Sequence, residues 1–198
     1  WAETCSLMAQ AGLVIQPNQK LAFQNSISNV DPLFTNWLSK NYTALGVQRL
    51  PVPHHVHHIP HYLAYLHNLG NLSKAVLLVI DCLSLADWQV ISPVWTKRHA
   101  EWKIKTETLL AQIPTITSIS RYALISGLRP ADFAGEIDHN IPESRAWELF
   151  WSREGFNENM CKLLPLYYDR QIDQQPELQD PRVSFWCLID DTLDKLAH

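Results

Sequence analysis

Residues 113–130 read IPTITSISRYALISGLRP, and this stretch decides the expected fold. A strand-like run ends at Pro114, two threonines follow, and residues 118–126 have the composition of a helix closed by Gly127. A hydroxyl at the start of a helix, directly after a strand, is a candidate nucleophile. The free N–H groups of the first turn and the positive end of the helix dipole would hold a phosphate against it.

Two apolar runs elsewhere in the chain end on acidic residues. Ala75–Ile80 stops on Asp81, which is typical of a buried parallel strand that delivers a carboxylate to the edge where α/β proteins build their sites. Val183–Ile189 is followed by DDTLDKLAH, in which Asp194 and His198 are four positions apart. On a helix this spacing places a carboxylate and an imidazole on one face, as a usable zinc or manganese pair.

The composition is that of a folded protein. Hydrophobic residues make up 46% and charged residues 18% of the 198 residues, so disorder is not expected. The formal charge of −4 gives no basic footprint for nucleic acid. Four scattered cysteines without a C-x-x-C pair indicate reduced thiols in a cytoplasmic protein. No apolar run approaches about 18 residues, so no membrane span is expected, and no signal peptide is evident.

The pattern along the chain divides it into a helical segment and linker, residues 1–72, and an α/β part, residues 73–198. The Asp31-Pro32 pair is a helix start signal, and prolines 51, 53 and 60 punctuate the linker. Helices are expected at 61–69, 85–95 and 144–153, the last capped by Ser144; strands are expected at 74–80, 103–110 and 183–189; residues 162–168 are ambiguous, and 128–142 and 169–181 are expected to be loops.

Five stretches of the chain resemble, in sequence and order, the PglZ domain of bacterial phage-exclusion (BREX) defence systems. That domain belongs to the alkaline phosphatase superfamily. The resemblance covers residues 54–198 and implies an α/β fold, with N-terminal helices followed by the first half of an alkaline-phosphatase-like parallel-sheet domain. The block PT-x-T-S-x-S-R-x-A-x-x-x-G is the most specific part. The matching stretches are PHHVHHIPHYL, VLLVIDCLSLADW, IPTITSISRYALISG, WELFW and IDDTLDKLAH.

The resemblance implies a set of site residues. The superfamily uses an Asp after the first strand as a metal ligand, the second threonine of its turn as nucleophile, and a later D-x-x-x-H pair as further ligands. Carried over, these are Asp81, Thr117, and the pair Asp194 and His198, and Arg121 on the face of Thr117 would contact phosphate. The family resemblance implies two divalent metal ions, zinc or manganese.

The function that the resemblance implies is a metal-dependent phosphohydrolase or phosphodiesterase-like component of a cytoplasmic anti-phage defence system. Its partners would be other proteins of the defence complex, and its substrate a phosphoester, with nucleic acid as one candidate. The superfamily needs a further Asp–His pair and another His downstream, and nothing follows His198. The chain also starts on Trp1, so we expect a fragment that is inactive by itself and does not fully bind its metals.

Each proposed site residue has a simpler interpretation. Thr117 could be only a helix cap, and Thr115 is the alternative nucleophile. Asp81 could be a turn residue that closes a strand. Arg121 could form a salt bridge elsewhere, and Asp194 with its histidine could be a surface pair on a terminal helix, with the neighbouring acidic residues 190 and 191 as alternative or supporting ligands.

Two further features are weighed in the same way. Many members of the family have Gly after the ligand Asp, where this chain has Cys82; a thiolate there could bind zinc, but a buried, inert cysteine is favoured. A Pro-bounded linker carries five histidines without carboxylates or cysteines beside them, and a structural or surface role is favoured over a metal site. The five are His54, His55, His57, His58 and His61.

Two other functions remain open at this stage. The domain could have lost hydrolysis and serve as an assembly module of the defence complex, for which the N-terminal helices and eight tryptophans would suit an interface. A sulfatase-like enzyme is the weaker alternative, because its C/S-x-P-x-R signature would fall on Thr117–Arg121, which contains no proline.

Overall fold

A computed structural model describes residues 12, 14, 16–45, 52–134, 141–166 and 175–197. Within them the protein is mixed α/β, with a small, open, all-parallel sheet of three strands and several helices. The elements in chain order are α1 (Pro17–Leu45), α2 (His58–Asn68), β1 (Ala75–Ile80), α3 (Leu85–Arg98), α4 (Thr117–Ser126), α5 (Pro130–Phe133), α6 (Glu143–Arg153), β2 (Cys161–Leu166), β3 (Phe185–Asp190) and α7 (Thr192–Ala197), with short 3₁₀ turns at Glu158–Met160 and Pro176–Gln179.

The chain groups into two compact units. The first comprises Trp1–Gln48 and Leu83–Glu107, and the second comprises Arg49–Cys82 and Thr108–His198. The first unit holds α1 and α3, and the second holds the sheet and the remaining helices. The division at residues 72 and 73 that the sequence suggested stays a prediction.

The sheet has the order β1-β3-β2, with β3 in the centre and both pairings parallel. Asp190, the last residue of β3, is in register with Ile80 at the end of β1 and with Leu166 at the end of β2. The carboxyl ends of all three strands therefore meet at one edge. The strands predicted at 74–80 and 183–189 are confirmed, and the ambiguous 162–168 segment becomes β2. Pro165 is tolerated there because β2 lies at the edge of the sheet.

Strand β1 differs from the sequence-based expectation in one respect. Its apolar run was expected to be buried on both faces, but only Ala75, Leu77 and Val79 pack against the core. The alternate residues Val76 and Leu78 are 61% and 43% exposed. The strand follows the period of two of a sheet with one covered face, which a continuous apolar run does not reveal.

The hydrophobic core lies between the sheet and helices α4 and α6. Trp151 stacks on Phe185 of the central strand, with ring centroids 4.0 Å apart. Trp147 and Phe150 meet Trp151 edge to face, at centroid distances of 5.4 Å and 5.3 Å. Aromatic side chains bury about 150–250 Å² each, so this cluster is the main apolar burial that holds the second unit together.

Helix α4 ends at Gly127, as the sequence predicted. Gly127 has φ 68°, in the left-handed region. A Cβ atom there would lie 2.8 Å from two ring carbons of Phe150 and 2.9 Å from Nε2 of His61. Only glycine satisfies both the backbone conformation and the close approach of α6 and α2.

The first unit contains two long helices. The Asp31-Pro32 start signal was wrong, because α1 runs without a break from Pro17 to Leu45 and holds Pro32 in its interior. Helix α3 is confirmed at its predicted start, and it extends to Arg98. It begins with a capping box in which Ser84 Oγ accepts from the Asp87 N–H at 3.1 Å and Asp87 Oδ2 accepts from the Ser84 N–H at 3.2 Å.

Two local predictions are corrected. No strand forms at 103–110, where the described backbone makes only an isolated parallel bridge between Leu110 and His55. The alternation of apolar and charged residues has no neighbouring strand to pair with, and Thr106 Oγ1 instead accepts from Trp88 Nε1 at 3.0 Å. Helix α6 is preceded by Pro142 at its N-cap, so Ser144 lies inside the helix rather than capping it.

Candidate active site

Asp81 follows β1 directly at the carboxyl edge of the sheet. Its N–H donates to the Asp190 carbonyl at 2.8 Å, which continues the parallel ladder one residue past the strand. Its Oδ1 accepts from the N–H of Cys82 at 3.1 Å. The apolar run thus ends where the chain leaves the sheet, and the carboxylate remains at the edge.

Cys82 turns the chain away from the strand in the left-handed region, with φ 62°. This conformation favours glycine, which gives a physical reason for the glycine expected after the Asp. Cys82 is exposed, and not buried as the sequence suggested. Its Sγ donates to Asp194 Oδ1 at 3.2 Å. That hydrogen bond, then desolvation, then the charges of Asp194 and Asp81 raise the pKa of the thiol.

Arg121 connects helix α4 to the sheet edge. Its Nη1 donates to Asp81 Oδ2 at 3.2 Å, and its Nε donates to Glu143 Oε1 at 2.5 Å. Burial acts to lower the pKa of Arg121, but the hydrogen bond and charge of Glu143, followed by the charges of Asp81 and Asp191, raise it overall. The guanidinium is therefore a fixed positive charge among carboxylates.

Thr117 is the first residue of α4, one helical turn before Arg121. The N-cap is Ile116, and no side chain caps the helix, so the interpretation of Thr117 as a cap is wrong. Among the residues that the structure describes, no side chain caps the first N–H groups of α4. Thr117 is exposed, and its hydroxyl makes no hydrogen bond to any residue that the structure describes. The bond from Arg121 to Asp81 attaches α4 to this edge through a residue that lies one turn after Thr117.

Three acidic residues lie at the end of the central strand or shortly after it: Asp190 ends β3, and Asp191 and Asp194 follow. Asp190 Oδ1 accepts from the Thr192 N–H at 2.9 Å and so supports the start of α7. Asp191 Oδ1 pairs with Lys195 Nζ at 3.0 Å. Asp194 meets Cys82, the neighbour of Asp81. Carboxylates from the ends of two adjacent strands, β1 and β3, therefore lie at this edge. The carboxylate of Asp81, after β1, also contacts Arg121.

The donor chemistry of this edge suits a hard divalent cation, because carboxylate oxygens are its usual ligands. No three His, Cys, Asp or Glu side chains within the described residues are arranged to hold a metal ion. Asp81 is paired with Arg121, and His198 lies outside the described residues. The described part alone does not form a metal site.

The histidines of the linker make structural contacts. His57 is buried, and its Nδ1 accepts from Gln112 Nε2 at 2.7 Å. Nδ1 of His58 accepts from the N–H groups of His54 and His55, at 3.2 Å and 3.4 Å. Burial first, and then neighbouring positive charges led by His58, lower the pKa of His57 to about 3. The cluster holds the linker against residues 110–112, which lead towards Thr117.

The fifth histidine of the linker joins the helices around Gly127. Nε2 of His61 lies 3.0 Å from the Gly127 carbonyl, and Nδ1 lies 3.3 Å from Glu154 Oε1. Its ring meets Phe150 edge to face, with centroids 4.9 Å apart. His61 is thus part of the packing between α2, α4 and α6.

Two polar residues of this region were not singled out from the sequence. Glu143 opens α6 and takes the strongest hydrogen bond of Arg121. Gln112 is buried against His57. The position of Glu143 in the first turn of a helix indicates only a favourable helix start, and not a contact with Arg121. Nothing local in the sequence indicates the role of Gln112, because its partner His57 is distant in sequence.

No described helix is both long and apolar enough to cross a lipid bilayer. When the chain is compared with models of protein families and with curated proteins, none of them matches it.

Proposed function

We propose that the carboxyl edge of the sheet is the site of a metal-dependent phosphoester hydrolase of the alkaline phosphatase superfamily, of the PglZ kind. One observation carries the proposal. Arg121, one turn after Thr117 on the same helix, is bonded to Asp81, so that a basic side chain and a carboxylate meet at the carboxyl end of a parallel sheet.

In this proposal the Thr117 oxygen gives up its proton to water and attacks the phosphorus of the substrate. The bond from phosphorus to the leaving alcohol breaks, that alcohol leaves with a proton from water, and a water molecule then hydrolyses the phosphothreonine ester and frees Thr117. The uncapped N–H groups of α4 and the positive end of its dipole attract the phosphoryl oxygens. Arg121 carries five N–H donors, and its bonds to Asp81 and Glu143 leave others for the same oxygens.

Asp81 and Asp194 would hold the divalent ions, zinc or manganese, together with His198 and with ligands beyond the described residues. Bound ions would lower the pKa of the threonine hydroxyl and neutralise charge on the phosphoryl group. Three ligands split across two ions would leave each coordination shell open, and we propose that this chain by itself binds the ions incompletely and is inactive.

The cellular setting belongs to the same proposal. The protein would act in the cytoplasm as a component of an anti-phage defence complex, with other proteins of that complex as partners and a phosphoester, such as nucleic acid, as substrate. The three described cysteines, Cys82, Cys161 and Cys187, are all free thiols, which is the state expected in a reducing compartment.

The test compares two threonine variants of the full-length protein, loaded with zinc or manganese, on an aryl phosphodiester. Thr117→Ala is expected to abolish turnover, whereas Thr115→Ala, two residues away and equally exposed, is expected to retain it. Equal melting temperatures for the two variants would show that the loss is chemical. Retained turnover in Thr117→Ala would remove this residue from the mechanism.

A second candidate is a non-catalytic assembly module. It is favoured by the pairing of Arg121 with both Asp81 and Glu143, which can serve as a purely structural ion network. An assembly module predicts no metal-stimulated turnover in the full-length protein. It also predicts that Asp81→Asn lowers the melting temperature, because Arg121 loses a charged partner.

A further inference from the structure

Helix α1 carries an apolar stripe whose spacing is that of a coiled coil. Ile27, Val30, Phe34 and Trp37 follow one another at intervals of three, four and three residues, the a and d positions of a heptad. All four are exposed, by 38%, 58%, 47% and 44%. A period of 3.5 residues suits packing against another helix along the whole stripe.

The flanking positions make the stripe self-complementary. In a parallel pair, each g position faces the e position of the following heptad of the other helix. Leu33, which is 70% exposed, would then meet Leu38 of a second copy. The 29-residue helix has only three charged residues, Lys20, Asp31 and Lys40. In this register Asp31 and Lys40 do not face a like charge, whereas Lys20 falls at an a position and faces Lys20 of the second copy, at a cost in stability.

Two other residues fit the same register. Asn41 falls at the next a position, where an asparagine fixes register and favours two strands. Pro32 falls at an f position, on the side away from the stripe. A proline inside a helix costs about 3 kcal/mol, so α1 needs packing along its length to remain helical.

No residue of α1 is buried within the part of the chain that the structure describes. We propose that α1 of one molecule pairs with α1 of a second copy, as a parallel, in-register, two-stranded coiled coil centred on Ile27, Val30, Phe34 and Trp37. This interface is independent of the site at the sheet edge.

The test is the mass of the 198-residue chain in solution, measured by sedimentation over a micromolar concentration series. The mass is expected to rise from 22.8 kDa towards twice that value. Phe34→Glu is expected to weaken dimerisation at least tenfold, and Asn25→Glu, at an f position of the same helix, is expected to leave it unchanged.

Three outcomes would overturn the proposal: a monomer at every concentration, a mass that continues past two copies, or equal dimerisation of the Phe34→Glu variant. Far-ultraviolet circular dichroism of both variants distinguishes loss of pairing from loss of the protein's fold. In Phe34→Glu, pairing is expected to be lost while the helices of the second unit remain.

Orientation is tested with single cysteines on the same helix. Asn41→Cys is expected to give a disulfide-linked dimer under mild oxidation, because equal a positions face each other in a parallel pair. Ser39→Cys, at an f position, is expected to give no more than the background of the native cysteines. A dimer in which Asn41→Cys does not cross-link would contradict the parallel register.

Discussion

The two units of this protein use their tryptophans in opposite ways. In the second unit, Trp147 and Trp151 are fully buried, and Trp151 stacks on Phe185 of the central strand. In the first, Trp37 is 44% exposed on α1, and neither α1 nor α3 has a buried residue among those that the structure describes. Tryptophan side chains therefore belong to a packed core in one unit and to an exposed stripe in the other.

This contrast indicates which parts of the chain are self-sufficient. The sheet unit closes its core with side chains from α4, α6 and β3, so its site is held by contacts within the chain. Helix α1 has apolar residues in a regular register that no described residue buries, and the proposed pairing predicts that its stability depends on association.

The largest expected effect compares two tryptophans. Trp151→Ala removes a ring that stacks on Phe185 and should lower the free energy of unfolding by about 3–5 kcal/mol. Trp37→Ala should change it by less than about 0.5 kcal/mol, measured at a dilution where the chain is monomeric. Urea titration followed by far-ultraviolet circular dichroism measures both. A comparable loss in Trp37→Ala would mean that α1 is buried within its own chain.

The next comparison separates backbone conformation from packing. Gly127→Ala must adopt φ 68° and overlap Phe150, whereas Gly70→Ala must adopt φ 74° with no atom within 4 Å of the added carbon. The shared conformational cost is about 1–2 kcal/mol, and overpacking should add roughly 1–3 kcal/mol at Gly127 alone. Thermal unfolding of both variants gives the difference. Equal losses would show that the junction of α2, α4 and α6 is loose.

Sequence patterns were reliable where local chemistry decides the structure. Three segments show this: the apolar run that ends on Asp81, the apolar run that becomes β3, and the helix that ends at Gly127. Each combines apolar residues with a polar residue or a glycine at its end. The pattern failed at 103–110, because alternation describes a strand only if another strand lies beside it. It also failed at Pro32, which the long α1 accommodates on its exposed side.

The candidate site was predictable only in part. Asp81 and Arg121 were chosen separately, and the structure brings them into contact across 40 residues of sequence. Glu143 could not be found, because its role depends on how α6 packs beside α4. The spacing within α1 was visible in the sequence as a helical pattern, but its meaning depends on the exposure that the structure adds.

A titration of stability against pH tests the burial of His57 in the second unit. The pKa of His57 falls from 6.5 to about 3 in the folded chain, so the unfolded chain binds a proton that the folded chain does not. Stability from this group is complete above pH 6.5 and is lost as the pH falls from there towards 3, by up to about 1.4 kcal/mol per pH unit. His57→Gln should lower this slope by up to about 1.4 kcal/mol per pH unit, the contribution of one bound proton. An unchanged slope would show that His57 is solvated.

The smallest expected effect concerns metal. With no three-ligand group among the described residues, a chelator should leave the melting temperature of this chain unchanged, since a ligand stabilises only in proportion to its occupancy. Melting curves with and without chelator, together with metal analysis after dialysis, measure this. A tightly retained stoichiometric metal and a drop of many degrees would mean that the histidines at 54–61 or the sheet edge bind an ion.

The most direct test of the central claim is to look for the phosphoryl group on the protein. The full-length protein, loaded with metal and quenched during turnover of an aryl phosphodiester, is digested and its peptides are analysed by mass spectrometry. The proposed chemistry predicts a phosphoryl group that still carries the second ester of the substrate on Thr117 and none on Thr115, with loss of the label in Thr117→Ala. A label on Thr115 during steady turnover would contradict the proposed chemistry. Turnover retained in Thr117→Ala would contradict it as well.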